Sequence, residues 1–301
     1  MQLSKIGFGS LSISGLWDEV SESQAINIIN HALDKGINWI DTSPLYGNGR
    51  AEKIIAEVAK NRRDDFFIAN KCGRITADNG QIKTDMSPST LKKELADSLN
   101  KLKTANIDLY QCHVIDANIP IEETWQGMSA LVKEGLVKYI GVCNYNLSSL
   151  KIIQKIHPVY SIQLPFNMAT HKTEPDLIRY CIENNIKIIS YSPLQSGLLS
   201  GEFDLSKLKK NDKRLARKEL FSAHSIEKHL YLVNKIKPIA LELNIPFSTL
   251  AISWVLQNKF ISNVILGMTS IQQLDQNIQA LAINFKPPDL KLISRYMARI
   301  F

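Results

Sequence analysis

The sequence predicts an α/β chain folded as one closed (β/α)8 (TIM) barrel, with its active site at the C-terminal ends of the strands. Three observations carry that expectation. Short, almost continuously apolar runs alternate with longer amphipathic segments from end to end. Eight such runs fall within 301 residues, the strand number and length of such a barrel. No G-x-G-x-x-G turn follows the first run, as an open, doubly wound dinucleotide-binding sheet would have. No repeat, low-complexity tract or interdomain linker interrupts the chain, so residues 1–301 read as one domain.

The strand segments are residues 5–9, 37–41, 66–71, 107–113, 139–144, 161–164, 187–191 and 263–267. Each is brief and nearly all apolar, as a strand buried on both faces has to be. Helices fit between them. Residues 23–35 carry Ala25, Ile28, Ile29, Ala32 and Leu33 at helical spacing and stop at Gly36, suited to the C′ position. Ser87-Pro88 opens a helix over 89–102, with proline at a first helical position. A helix over 121–133 ends at Gly135, and one over 148–156 ends before His157-Pro158. Residues 197–222 are the longest irregular stretch, and loops of that length in a compact domain are usually functional or mobile. Helices over 226–243 and 248–257 follow, the second from a Ser-Thr pair suited to capping.

The hydrophobic share of 45% and charged share of 22% are those of a soluble globular protein. No run approaches the ~18 apolar residues of a membrane span, and no basic segment followed by an apolar stretch opens the chain. Cys72, Cys112, Cys143 and Cys181 show neither C-x-x-C nor metal-ligand spacing. Free thiols in a reducing, cytoplasmic setting are expected, and no metal. Much of the net charge of +7 lies in Lys207, Lys209, Lys210, Lys213, Arg214, Arg217 and Lys218. Without interleaved aromatics or a nucleic-acid module, that stretch reads as a solvated basic loop; attraction of an anionic cofactor is the sharper alternative. The expected partner is a small molecule, not a nucleic acid or a membrane.

Three apolar runs end on chemically capable groups. Residues 37–41 end on Asp41, with Tyr46 five residues on; residues 66–71 end on Lys71 and residues 107–113 on His113. In a closed barrel all strand C-termini open on one face, so these groups converge there. A tyrosine ordinarily titrates near about 10, too high for an efficient donor at neutral pH. A lysine ammonium nearby is expected to lower that value, and an aspartate to keep the lysine charged and aimed. The imidazole can hydrogen-bond and orient a substrate oxygen. Such a set suits protonation of a carbonyl oxygen while hydride arrives at its carbon. Taken singly, each residue also has a structural reading: Asp41 a cap, Tyr46 loop packing, Lys71 a snorkelling strand end, His113 a core histidine.

These residues, in this order, resemble the aldo-keto reductase family of NAD(P)H-dependent carbonyl reductases over residues 5–277. Gly36-Ile37-Asn38-Trp39-Ile40-Asp41-Thr42-Ser43-Pro44-Leu45-Tyr46-Gly47 resembles the segment that bears the family's aspartate and tyrosine. Ile68-Ala69-Asn70-Lys71 is similar to its lysine strand, and Asp108-Leu109-Tyr110-Gln111-Cys112-His113 to its histidine strand. The run from Gly135 to Tyr145 resembles the fifth-strand signature, and the run from Tyr191 to Gly201 the cofactor loop after the seventh strand.

The resemblance implies Tyr46 as general acid, Lys71 and Asp41 as the groups that tune it, and His113 as the residue that orients the carbonyl. It further implies that Asn144 and Gln163 hold the nicotinamide carboxamide, with Tyr191 stacked on the ring. Ser192, Leu194 and Gly197 would line the pyrophosphate, where small residues and backbone amides let phosphate oxygens approach. Gly267, Thr269, Gln273 and Asn277 align with the adenosine site. Family members that use NADPH usually carry Arg or Lys there, and this chain does not, so both NADPH and NADH are expected candidates. Thr269, Ser270 or Arg214 of the long loop are the substitutes at hand. Cys143 stands where many members have serine, and Val114 where many have tryptophan, which suggests a roomier substrate wall; Trp17 supplies an aromatic wall or packs in the core. Two other functions stay open on the sequence: a Lys71 Schiff-base aldolase, and a cofactor-holding redox sensor or partner-binding subunit without turnover.

Overall fold

Alternation between inward and outward side chains organises the fold, and it begins with ten strands among the described residues. They are β1 (Ile6–Gly9), β2 (Trp39–Asp41), β3 (Phe67–Cys72), β4 (Arg74–Thr76), β5 (Ile82–Thr84), β6 (Ile107–Cys112), β7 (Val137–Cys143), β8 (Ser161–Pro165), β9 (Lys187–Tyr191) and β10 (Asn263–Leu266). Eight of them close a barrel in the ring order β1-β10-β9-β8-β7-β6-β3-β2, every pair parallel. Closure leaves the barrel no exposed strand edge. The computed structural model describes every residue except 17–18, 78–79 and 211.

The helices are α1 (Glu22–Asp34), α2 (Arg50–Arg62), α3 (Pro88–Leu102), α4 (Ile121–Lys133), α5 (Leu147–Gln154), α6 (Pro175–Glu183), α7 (Ala223–Glu242), α8 (Phe247–Leu256), α9 (Ile271–Ile278) and α10 (Pro287–Ile300). Those predicted start and stop within three residues of expectation, with local causes. Ser21 and Gln24 close a capping box on α1, and Ser87 caps α3 just ahead of Pro88. Helix α2 escaped prediction although Ala51, Ile54, Ile55 and Val58, all buried, recur at helical spacing.

Trp39, Phe67, Ala69, Leu109, Ile189 and Ile265 form an apolar plug inside the barrel. The two-residue period then sends Asp41 (after Trp39) and Lys71 (after Ala69) to the same inner face, one layer above the plug. Ile40, Ile68 and Cys72 face outward into the larger core under the helices. Gly7 is required by this plug: a Cβ there would sit 2.1 Å from the Trp39 ring. The four cysteines are free and buried.

The hairpin β4–β5 lies outside the barrel and was not foreseen, although Asn79-Gly80 is a strong hairpin-turn dipeptide. Its root is held by Glu94 of α3, whose carboxylate accepts the Gly73 N–H at 2.6 Å. Burial pushes that carboxyl up to about 7, against the Gly73 bond and with added repulsion from Asp85 and Glu52. A raised folded-state value means that Glu94's stabilising share is complete below the ordinary carboxylate range and is lost as pH rises through about 7. The denaturation midpoint is therefore expected to fall between about pH 5 and about pH 8. Glu94→Gln, which still offers Gly73 an acceptor, should flatten that slope. An unchanged slope would remove Glu94 as its source.

Candidate active site

The C-terminal mouth of the barrel opens into a cavity of about 1060 Å3. Asp41, Tyr46, Lys71 and His113 all line it, as do Val114 and the ten residues expected to meet the cofactor. Trp17, the other expected substrate contact, lies outside the described residues.

Lys71 is the centre of the site. Its side chain and that of Asp41 are 3% and 4% exposed, so the pair has left water almost entirely. Two charges can be buried only if their remaining hydrogen-bonding capacity is met, and here it is. Lys71 Nζ donates to Asp41 Oδ1, to the Thr42 carbonyl at 3.1 Å and to Tyr46 Oη at 3.3 Å, matching the three N–H groups of an ammonium. The second Asp41 oxygen accepts from Gln163 Nε2 at 2.7 Å. Burial opposes the Lys71 charge, yet Asp41 and Tyr46 hold the ammonium above the ordinary lysine range.

Tyr46 departs from the expectation of a lowered phenol. Burial pushes it up to about 12; the downward pull of Lys71 is weaker, and Asp41 adds to the rise. The phenol therefore carries its proton at neutral pH. Because its oxygen accepts from Lys71, its own O–H is left to point into the cavity. The loop that presents it is pinned by Arg50, which donates to the Ile13 carbonyl at 2.9 Å and to the Val20 carbonyl at 2.6 Å.

His113 stands just past β6, its backbone N–H on the Cys72 carbonyl at 3.0 Å. Burial, then the charges of Lys71 and Arg74, push its imidazole down to about 3. It is neutral at physiological pH, fit to donate or accept a hydrogen bond and unfit to act as a cation.

The residues toward the cofactor are partly engaged with one another. Tyr191 Oη donates to Asn144 Oδ1 at 2.8 Å, and Gln163 uses its amide nitrogen on Asp41. This leaves the Asn144 nitrogen and the Gln163 oxygen without partners among the described residues, one donor and one acceptor. That pair complements a primary carboxamide. After β9, Ser192, Gln195, Ser196 and Gly197 all take positive φ, 54°, 47°, 56° and 102°. Backbone this unusual persists only where its surroundings hold it; Asn167 Nδ2 donates to the Ser192 carbonyl at 3.0 Å and Gln195 Nε2 to Thr170 Oγ1 at 3.0 Å.

At the far end Thr269 donates through its N–H and hydroxyl to Gln273 Oε1, at 2.9 and 3.1 Å, and Ser270 caps α9. Apart from Lys71, the cations that line this cavity come from elsewhere: Lys213, Arg214 and Arg217 from the long loop, Lys237 from α7 and Arg74 from the hairpin. Arg214 grips Asp212 with Nε and Nη2, the latter at 2.7 Å. Lys237 and the hairpin residue Arg74 were missed by sequence reasoning, and neither sits in a motif that could have flagged it. No group of three or more His, Cys, Asp or Glu among the described residues is placed to hold a metal.

Strand-end acid, amine, phenol and imidazole at the mouth of this cavity define a barrel oxidoreductase of carbonyl groups. Residues 5–297 match the model of the Aldo/keto reductase family, and the chain belongs to that family, whose members are NAD(P)-dependent oxidoreductases. It is 32% identical over 294 residues to probable aldo-keto reductase 1 of Glycine max, covering 97% of this chain and 85% of that one. It is 30% identical to aldo-keto reductase YhdN of Bacillus subtilis (strain 168), over 91% of this chain and 84% of that one. Among solved structures, glycerol dehydrogenase AKR11B4 from Gluconobacter oxydans superposes with a TM-score of 0.89 at 26% identity, over 99% of this chain and 92% of that one.

Proposed function

We propose that the chain reduces an aldehyde or ketone to an alcohol, with Tyr46 donating the proton to the carbonyl oxygen. The observation that supports this most is the Lys71 ammonium: all three of its N–H groups have acceptors, Tyr46 Oη among them, which leaves the phenolic hydrogen for the substrate. The nicotinamide dinucleotide, when bound, supplies the hydride. A phenol near about 12 is a weak acid toward a ground-state carbonyl. It is strong enough toward an alkoxide, whose basicity approaches that of hydroxide (water titrates at about 15.7). Proton transfer then keeps pace with developing charge, and the Lys71 ammonium stabilises the phenolate left behind. Neutral His113 is suited to donate a hydrogen bond to the same oxygen and fix its direction. Asp41, itself held by Gln163, keeps Lys71 charged and aimed. An ammonium so held has no lone pair for a Schiff base, which weighs against the aldolase reading. Turnover of a carbonyl would separate the reductase from a sensor that only holds the cofactor.

For the cofactor, Asn144 and Gln163 would take the carboxamide, Tyr191 the ring face, Ser192, Leu194 and Gly197 the pyrophosphate, and Gly267, Thr269, Gln273 and Asn277 the adenosine. Among those adenosine residues no guanidinium or ammonium meets a 2′-phosphate. Titration with each cofactor is expected to give dissociation constants for NADH and NADPH within about tenfold of each other. NADPH binding more than about a hundredfold tighter would instead assign a 2′-phosphate contact to the loop cations or Lys237.

A further inference from the structure

The hairpin β4–β5 leaves the barrel three residues after Lys71, and its first residue is an arginine. Gly73, at φ +83°, makes the turn, and a Cβ there would lie 1.7 Å from the Met86 sulfur. The Glu94 carboxylate fixes the same residue from behind. Arg74 pairs with Thr84 across the hairpin, and Arg74 and Thr76 both line the cavity. Thr76 Oγ1 donates to Asn48 Oδ1 at 3.4 Å, closing the hairpin onto the loop that carries Tyr46. Arg74 therefore has a defined place at the mouth.

Its charge is unmatched there. Arg74 is half-buried, and its side chain makes no ion pair or hydrogen bond among the described residues. Of the other cations of the cavity, Lys71 pairs with Asp41 and Arg214 with Asp212, Arg217 meets the neutral Ser196 hydroxyl, and Lys213 and Lys237 have no ion pair among the described residues. They also differ in position. In the eight-strand ring β9 stands diametrically opposite β3, and the loop cations and Lys237 all follow β9. Arg74 is on the other side, on the hairpin that follows β3, the strand flanked by those that precede Tyr46 and His113, and its charge is felt by His113. A guanidinium partly withdrawn from water without a counter-ion is unfavourable unless a ligand brings one. Its planar fork matches a carboxylate or phosphate by two parallel N–H bonds.

We propose that Arg74 binds an anionic group, carboxylate or phosphate, carried by the carbonyl substrate, and so selects acidic aldehydes or ketones over neutral ones. This rests on the carbonyl reduction proposed above. The test is initial rates of the cofactor-saturated enzyme on two matched pairs: 4-oxobutanoate against its methyl ester, and glyceraldehyde 3-phosphate against glyceraldehyde. The charged member of at least one pair is expected to show kcat/KM about tenfold higher or more, a preference that fades with added salt. The pair that shows it tells carboxylate from phosphate. Arg74→Met should bring that ratio close to one, chiefly by raising KM for the charged substrate, and Arg74→Lys should restore part of it. Equal kcat/KM within both wild-type pairs, or a ratio unmoved by Arg74→Met, overturns the proposal while leaving the reductase reading in place. No turnover of any of the four, with cofactor binding intact by fluorescence titration, overturns both.

Discussion

Tyr46→Phe is expected to lower kcat for carbonyl reduction by about 10²–10⁴-fold, the usual worth of a positioned acid. The dissociation constant of the cofactor should move by no more than about twofold, since only one oxygen is removed. The Phe ring can keep its place beside Lys71, whose ammonium lies 5.1 Å from the Tyr46 ring centroid. What the variant loses is the O–H and one acceptor for Lys71, a buried donor left short at about 1–3 kcal/mol. Single-turnover reduction with preformed cofactor complex, paired with a denaturant melt, separates the lost proton from any lost stability. Turnover within about tenfold of wild type would remove Tyr46 as the acid and leave water or His113 in that role.

Lys71→Met is expected to damage stability and catalysis together. It leaves the Asp41 carboxylate, 4% exposed, with the Gln163 amide as its remaining partner. Stranding one charge of a buried pair destabilises by about 3–5 kcal/mol. On the proposed mechanism the phenolate formed at Tyr46 would also lose its neighbouring cation, so kcat should fall as in Tyr46→Phe. The double variant Lys71→Met with Asp41→Asn removes the stranded charge, and should recover most of the stability and none of the rate. Recovery of rate in the double variant would contradict the role given to Lys71. Equal destabilisation in single and double variants would show that packing, not charge, sets the loss.

Much of the barrel was legible because its determinants are local. A buried parallel strand must be apolar on both faces, which marks the eight runs, and the two-residue period sends Asp41 and Lys71 inward. The helix ends were legible from Gly36, Ser87 and Pro88 for the same reason. Less legible were the features whose partners are distant. Gln163 resembled a carboxamide-binding residue, and in the fold its nitrogen holds Asp41 from 122 positions away in the chain. Lys237 and Arg74 lie in no motif, and only ring closure brings them to one cavity.

The sequence by itself determined the number of barrel strands, the order of the strand-end groups and the membership of the Aldo/keto reductase family, because periodicity and motif are properties of neighbouring residues. Only the tertiary structure decided how those groups are charged. A neighbouring ammonium predicts a lowered phenol, whereas enclosure of Tyr46 by the whole barrel mouth outweighs it and raises the phenol to about 12. Desolvation is summed over every element that excludes water, and no stretch of sequence records that sum. The same holds for Arg74: its residue type was always readable, and its place across the mouth from the loop cations, with no side-chain partner among the described residues, came only with the closed ring.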